Sequence, residues 1–226
     1  MHVAAVVFDL YGTVLAIEGM DGYVAAAGIP DAAGFVRDWR RKQIEYSWLA
    51  SMAGAYRDFD EITALALEQT LAQHDVALGV LERARLAQDI RAMPPHADAL
   101  AALRAVKQTG IPLAILTNGT PSSARAAIDA AELKDIFDDV LSVESVRAYK
   151  PDPAVYTLAT ARFACTPREI VFVSSNAWDA WGASRFGFRV AWCNRAGNAP
   201  ETMPPAPEFT LRSLGDLSNV LSVALR

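Results

Sequence analysis

The chain has 226 residues, 52% apolar and 21% charged, enough to bury a full core as one domain or as a domain carrying an insertion. Its net charge of −5 offers no attraction to a phosphate backbone, which argues against nucleic acid as a partner. The two cysteines, Cys165 and Cys193, lie far apart without metal-ligand spacing, and no apolar run reaches the roughly 20 residues of a membrane span. No amino-terminal signal segment is visible ahead of the first strand, so a cytoplasmic protein is the expectation.

Residues 3–8 are a short, mostly β-branched apolar run that reads as a central strand of a parallel sheet. The chain leaves it through Asp9-Leu10-Tyr11-Gly12-Thr13, which sets Asp9 at the strand's carboxyl end, where open α/β sheets bind ligands. Residues 20–92 then carry almost no strand signal. A helix is predicted over 37–52, with Trp39, Ile44, Trp48 and Leu49 near helical spacing. A second is predicted over 61–74, with Ile62, Leu65, Ala66 and Leu71 along one stripe, and a third over 81–91. Pro94-Pro95 closes this block, since proline lacks the donor a helix needs.

From residue 97 strands and helices alternate. Strands are predicted over 111–116, 140–142, 170–173 and 189–192. Helices are predicted over 97–108, ending at Gly110 as a left-handed cap, and over 122–131, 153–163 and 180–186. This alternation predicts an α/β fold with a doubly wound parallel sheet and a Rossmann-like core. Residues 1–15 and 95–226 would form that core, with 16–94 a helical cap inserted after the first strand. The stretch 200–207 reads as a proline-rich surface loop.

Four strand ends bring polar groups to one edge: Asp9 and Thr13; Thr117 and Asn118; Lys150; and Ser174, Asn176 and Asp179. Taken singly, these read as caps, turn residues and a solvated lysine. Together, at converging strand ends, they fit a nucleophilic carboxylate held ionised by an ammonium and by hydroxyl and amide donors. Thr117, Asn118 and the backbone N–H groups of the turn after Asp9 could bind a substrate anion. Asp179 could fix Lys150 and orient a water.

The segments Phe8-Asp9-Leu10-Tyr11-Gly12-Thr13, Leu116-Thr117-Asn118-Gly119, Tyr149-Lys150-Pro151-Asp152 and Phe172-Val173-Ser174-Ser175-Asn176-Ala177-Trp178-Asp179 resemble the four motifs of the haloacid dehalogenase superfamily. More narrowly they resemble the L-2-haloacid dehalogenases. The likeness extends to Trp39-Arg40-Arg41-Lys42-Gln43-Ile44-Glu45-Tyr46 and to Asn194-Arg195-Ala196-Gly197-Asn198. Phosphatases of the superfamily carry a second aspartate two places after the nucleophile and further acids that hold magnesium. Here Tyr11 stands at the first position, and only Asp9 and Asp179 remain as acidic ligand candidates, so neither a metal nor another cofactor is expected.

The resemblance implies attack of Asp9 on C2 of a short 2-haloalkanoate with inversion, then hydrolysis of the aspartyl ester to a 2-hydroxy acid. Lys150 and Thr117 would hold Asp9 and the substrate carboxylate. Asp179, Lys150, Asn176 and Ser174 would position the water, and Thr13 and Tyr156 would support the site. Arg40 and Asn118 would stabilise the departing halide. Leu10, Tyr11, Ile44, Phe59 and Trp178 would wall the reacting carbon. Arg41 stands where close relatives carry glutamine, and would either alter specificity at the entrance or face solvent. The partners implied are a 2-haloacid, water and halide, with a homodimer suggested by family habit. The alternatives are a magnesium-dependent phosphatase and a non-catalytic binder of small acids.

Overall fold

The computed structural model describes residues 2–89 and 93–225. Among them, six strands form one all-parallel sheet: β1 (Ala5–Phe8), β2 (Leu113–Thr117), β3 (Asp139–Ser142), β4 (Ile170–Ser174), β5 (Arg189–Cys193) and β6 (Phe209–Leu211). Their order is β3-β2-β1-β4-β5-β6, that of a doubly wound, Rossmann-like sheet. The chain reverses direction of travel beside β1, which opens a crevice at the carboxyl ends of β1 and β4. Phe8 pairs with Ile115 on one side and Val173 on the other, so Asp9 emerges at the centre of that edge.

Side chains alternate across the sheet as the strand period of two requires. Val6, Phe8, Ile115, Val171 and Val173 join one buried apolar cluster, while Ala5, Val7, Leu116, Ile170 and Phe172 join the other. Against the first face pack α5 (Ala99–Lys107), α6 (Pro121–Ala130) and α9 (Leu217–Ala224). Against the second pack α7 (Pro153–Phe163) and α8 (Ala177–Phe186). Both faces are covered, which is why these strands read as continuous apolar runs.

Between β1 and α5 lie α1 (Met20–Ala26), α2 (Ala32–Met52), α3 (Phe59–Gln73) and α4 (Val80–Asp89). Phe35, Trp39, Leu67 and Leu71 from this stretch join the first cluster, and Ala50, Phe59 and Ile62 join the second. The helical stretch is therefore continuous with both apolar clusters.

Four of the described α-helices start at a side-chain cap. Asp31, Asp58, Thr120 and Asp152 accept backbone N–H groups at the starts of α2, α3, α6 and α7, with Pro121 and Pro153 just inside the last two. Gly110 has φ +75°, as a left-handed turn after α5 requires. Asp31 starts α2 five residues before the predicted position, and α8 starts at Ala177, ahead of the predicted 180, which puts Asp179 inside its first turn.

Two residues of the predicted stripes turn outward: Leu49 and Leu65 are 50% and 42% exposed. Ser47 and Leu67 are the buried neighbours instead. The third helix of that block is seen to Asp89; the rest of its predicted span, Ile90 and Arg91, lies outside the described residues. The sequence pattern showed none of α1, α9 or β6.

Candidate active site

Asp9 leaves β1 with its N–H bonded to the Val173 carbonyl at 2.9 Å, then turns through Gly12, whose φ of +86° only glycine adopts without strain. The Thr13 hydroxyl reaches back to Asp9 Oδ2 at 2.8 Å. Asn176, from the loop after β4, donates its side-chain N–H to the same oxygen at 2.8 Å and to the Tyr11 carbonyl at 3.2 Å. The other oxygen, Oδ1, accepts from Lys150 Nζ at 3.0 Å. That ammonium also donates to Asp179 Oδ2 at 2.8 Å, so one cation bridges two carboxylates.

The bridge is almost dry. Lys150 and Asp179 are fully buried and Asp9 is 6% exposed. Burial opposes charge on Lys150, but Asp179 and Asp9 outweigh it and hold the ammonium above its ordinary range. Burial pushes the Asp179 carboxyl up from 3.8 to about 6; Lys150 pulls it down and Asp9 adds to the rise. The Tyr156 hydroxyl donates to Asp179 Oδ1 at 2.8 Å, so both oxygens of Asp179 have donors. Burial, and then the charge of Asp179, keep that phenol far above its ordinary range and therefore neutral.

Lys150 is pinned at its backbone as well. Its N–H is accepted by Asn118 Oδ1 at 3.1 Å, and its carbonyl accepts from the Trp48 indole at 3.0 Å. The neighbouring Tyr149 N–H is accepted by the Ser51 hydroxyl at 2.8 Å. Gly182 makes room for this arrangement: a Cβ there would come within 2.6 Å of the Tyr156 hydroxyl and 2.5 Å of Pro151.

Direct contacts thus join Asp9, Thr13, Asn176, Lys150, Asp179 and Tyr156. Thr117 and Ser174 contribute by shaping turns: their hydroxyls accept the N–H groups of Gly119 at 3.0 Å and Asn176 at 3.2 Å. Leu10 and Tyr11 are buried beside Asp9, and the Tyr11 ring lies so close to Gly119 that a Cβ there would be 3.1 Å from it. Arg40 is half-buried; burial lowers its pKa, and the nearby Asp9 carboxylate and Tyr11 phenol oppose that lowering.

Phe59 packs on Tyr149, with ring centroids 5.7 Å apart, and Ile44 is buried. Trp178 is half-buried, edge-on to Trp48, along an apolar groove of about 550 Å³ shared with Trp181 and Pro151. Arg41 is 69% exposed and pairs with Asp38 at 3.4 Å, so it faces solvent.

A magnesium ion would need oxygen ligands in an octahedron. Asp9 and Asp179 already share the Lys150 ammonium between them. Among the described residues no cluster of three His, Cys, Asp or Glu side chains could hold a metal. The donor set does not fit the cation that phosphatases of this fold carry.

Sequence reading passed over a second network behind the nucleophile. Arg195 donates to Ser175 Oγ at 2.9 Å, to the Thr13 carbonyl at 3.1 Å and to Asp98 at 3.0 Å. Asp98 also accepts the Leu214 N–H at 2.7 Å. Burial alone would raise the Asp98 carboxyl, but Arg195 and that N–H hold it below its ordinary range. Arg195 therefore ties the two loops that carry the donors to Asp9 Oδ2 to the far side of the sheet edge. The only available signal was its place in the Asn194-Arg195-Ala196-Gly197-Asn198 segment.

A doubly wound parallel sheet with a buried carboxylate–ammonium–carboxylate bridge at its switch point defines an enzyme of the α/β class, built for chemistry at one central strand end. The chain belongs to the haloacid dehalogenase-like hydrolases, whose family model matches residues 3–187. It is 37% identical over 219 residues to an (S)-2-haloacid dehalogenase of Pseudomonas putida, covering 97% of this chain and 98% of that one. It is 35% identical to the haloacetate dehalogenase of Moraxella sp. (strain B), covering 98% and 99%. The solved L-2-haloacid dehalogenase of Xanthobacter autotrophicus with chloropropionic acid covalently bound superposes with a TM-score of 0.91 at 33% identity, over 97% of this chain and 98% of that one.

Proposed function

We propose that this hydrolase cleaves the carbon–halogen bond of short 2-haloalkanoic acids, giving 2-hydroxy acids through an ester on Asp9. The observation that carries the reading is the Lys150 ammonium shared by Asp9 and Asp179 where a phosphatase would hold its metal. With Tyr11 in place of a second acid, the site carries no acid where phosphatases protonate the leaving group of the first displacement. Halide needs no such proton.

Asp9 Oδ2 is anchored by two donors and Oδ1 by one, so Oδ1 is the attacking oxygen. It forms a bond to C2 from the face opposite the halogen; the carbon–halogen bond breaks, the configuration inverts and halide leaves with the electron pair. Arg40 and the donor end of Asn118 stabilise that charge as it develops. Water then adds to the Asp9 carboxyl carbon. Negative charge gathers on Oδ2, between Thr13 and Asn176 at 2.8 Å each, the spacing of an oxyanion hole. Asp179 takes the water's proton, the bond from the carboxyl carbon to Oδ1 breaks, and Asp179 returns that proton to the departing alkoxide oxygen, which leaves as the hydroxyl of the 2-hydroxy acid. Lys150 holds Asp9 ionised, and its charge helps to bind the substrate carboxylate with Thr117. Leu10, Tyr11, Phe59 and Trp178 wall the carbon.

In this reading residues 16–94 act as a cap over a core of 1–15 and 95–226. Among the described residues no helix is long and apolar enough to cross a membrane. We place the enzyme in the cytoplasm, in keeping with its two free cysteines. We further propose a homodimer formed through exposed Leu49, Met52 and Leu65 of the cap; light scattering at the mass of one chain would exclude it.

The test is halide release from chloro- and bromoacetate and both enantiomers of 2-chloropropionate, with and without chelator. Chelator-resistant release with preference for the L substrate is expected, and Asp9→Asn lowers it at least about 1000-fold. In a single turnover in 18O-labelled water, the label enters Asp9 and not the product. Label in the hydroxy acid would overturn the ester mechanism, and chelator-sensitive turnover of an aryl phosphate without halide release would favour the phosphatase.

A further inference from the structure

One turn along α2 from Arg40, the side chain of Gln43 is 1% exposed, and a buried amide needs a partner at each end. Its Oε1 accepts from Arg40 Nη1, and its Nε2 donates to the hydroxyl of Thr63 on α3. The Thr63 hydroxyl donates in turn to the Phe59 carbonyl at 2.6 Å. The Trp39 indole holds the same turn of α3 by donating to the Thr63 carbonyl at 3.0 Å.

The direction of this chain is fixed from its far end. A carbonyl can only accept, so the Thr63 proton is committed to Phe59 and its oxygen must accept from Gln43. The NH2 of Gln43 therefore faces Thr63, and its oxygen faces Arg40. Reversing the amide would set two donors against each other at the guanidinium. A guanidinium is a rigid plane of five N–H donors, so fixing one of them fixes where the others point.

We propose that Gln43, aligned by Thr63, is a positioning residue that aims the Arg40 guanidinium at the departing halide and keeps it from collapsing onto the Asp9 carboxylate. This rests on the dehalogenase reading, in which Arg40 stabilises the leaving group. Chloride leaves less readily than bromide and leans harder on that stabilisation. Loss of aim therefore costs chloroacetate more than bromoacetate, whereas general damage to the fold costs both alike.

The experiment is single-turnover halide release from both acids by the wild type and by Gln43→Leu, Thr63→Val and Thr63→Ser, with thermal unfolding followed alongside. Gln43→Leu is expected to slow chloride release roughly 10- to 100-fold and to raise the bromide-to-chloride rate ratio several-fold. Thr63→Val shifts the ratio the same way, and Thr63→Ser, which keeps the hydroxyl, restores it. If Gln43→Leu does not fold, the Thr63 pair alone decides. A ratio unchanged from a wild type that releases halide overturns the inference alone; a wild type that releases no halide overturns the dehalogenase reading beneath it.

Discussion

Asp179 is pulled in two directions, and the balance sets a pH window. Burial raises its carboxyl from 3.8 to about 6 even though Lys150 lies 2.8 Å away. The folded protein thus holds this proton to a higher pH than the unfolded chain does. Between about pH 4 and 6 the native state binds more protons, so this group's contribution to stability falls as pH rises. Its ability to take a proton from water rises over the same interval. The expected kcat profile therefore has an acid limb near pH 6. The stability difference between wild type and Asp179→Asn should narrow toward pH 4 and widen, at the wild type's expense, toward pH 6. Tyr156 donates to the ionised carboxylate, so Tyr156→Phe should move the limb upward by about one unit. A kcat profile whose limb stays in place in that variant would remove Asp179 as the titrating group. Residues such as Asp9, Lys150 and Asp179 were legible in the sequence because each is an ionisable side chain within a short motif that follows a strand. Gln43 was not, since an amide inside a helix has no spacing that marks its buried partner on another helix.

At the scale of elements, the turn after β1 and the loop after β4 carry the donors to Asp9 Oδ2, yet neither loop is held by the sheet ladder alone. Arg195 gathers them, bonding the Thr13 carbonyl and the Ser175 hydroxyl while Asp98 clamps its other edge. Arg195→Met keeps the apolar stem and removes the fork. It should cost about 1–3 kcal/mol in urea unfolding and lower kcat roughly tenfold while leaving KM nearly unchanged. Arg195→Lys should recover stability better than rate, because an ammonium cannot reproduce the fork. A variant that loses stability at full kcat would reduce Arg195 to a structural tie. The alternation of strands and crossover helices made the central sheet readable, since β1, β2, β4 and β5 are buried on both faces. The edge was harder: β6 is three residues, Phe209–Leu211, after a proline-rich stretch. It forms because Cys193 and its neighbours offer an unpaired ladder, information that lies in β5 and not in the strand itself.

For the whole molecule the question is how a substrate reaches a carboxylate that is 6% exposed. The helical stretch is fastened across the crevice by polar contacts rather than by apolar packing alone. The Trp48 indole and the Ser51 hydroxyl engage the backbone at Lys150 and Tyr149, and the Tyr149 hydroxyl donates to the Arg57 carbonyl at 2.6 Å. Asp60, in the first turn of α3, accepts from the Thr120 hydroxyl at 3.0 Å and the Ser123 hydroxyl at 2.8 Å at the start of α6. A carboxylate at a helix N-terminus also meets the positive end of the dipole. Contacts of this kind exchange readily with water, so they can part and re-form where a dry apolar seam would not. Asp60→Ala removes one fastening without touching the groups around Asp9. It should speed amide hydrogen exchange at the start of α3 and around Trp48 and Ser51 several-fold, leaving β4 protected. Single-turnover halide release should slow, because water enters the opened crevice and shields the nucleophile. Faster exchange confined to α3, with Trp48 and Ser51 as protected as in the wild type, would mean that Asp60 caps a local turn and does not hold the two parts together.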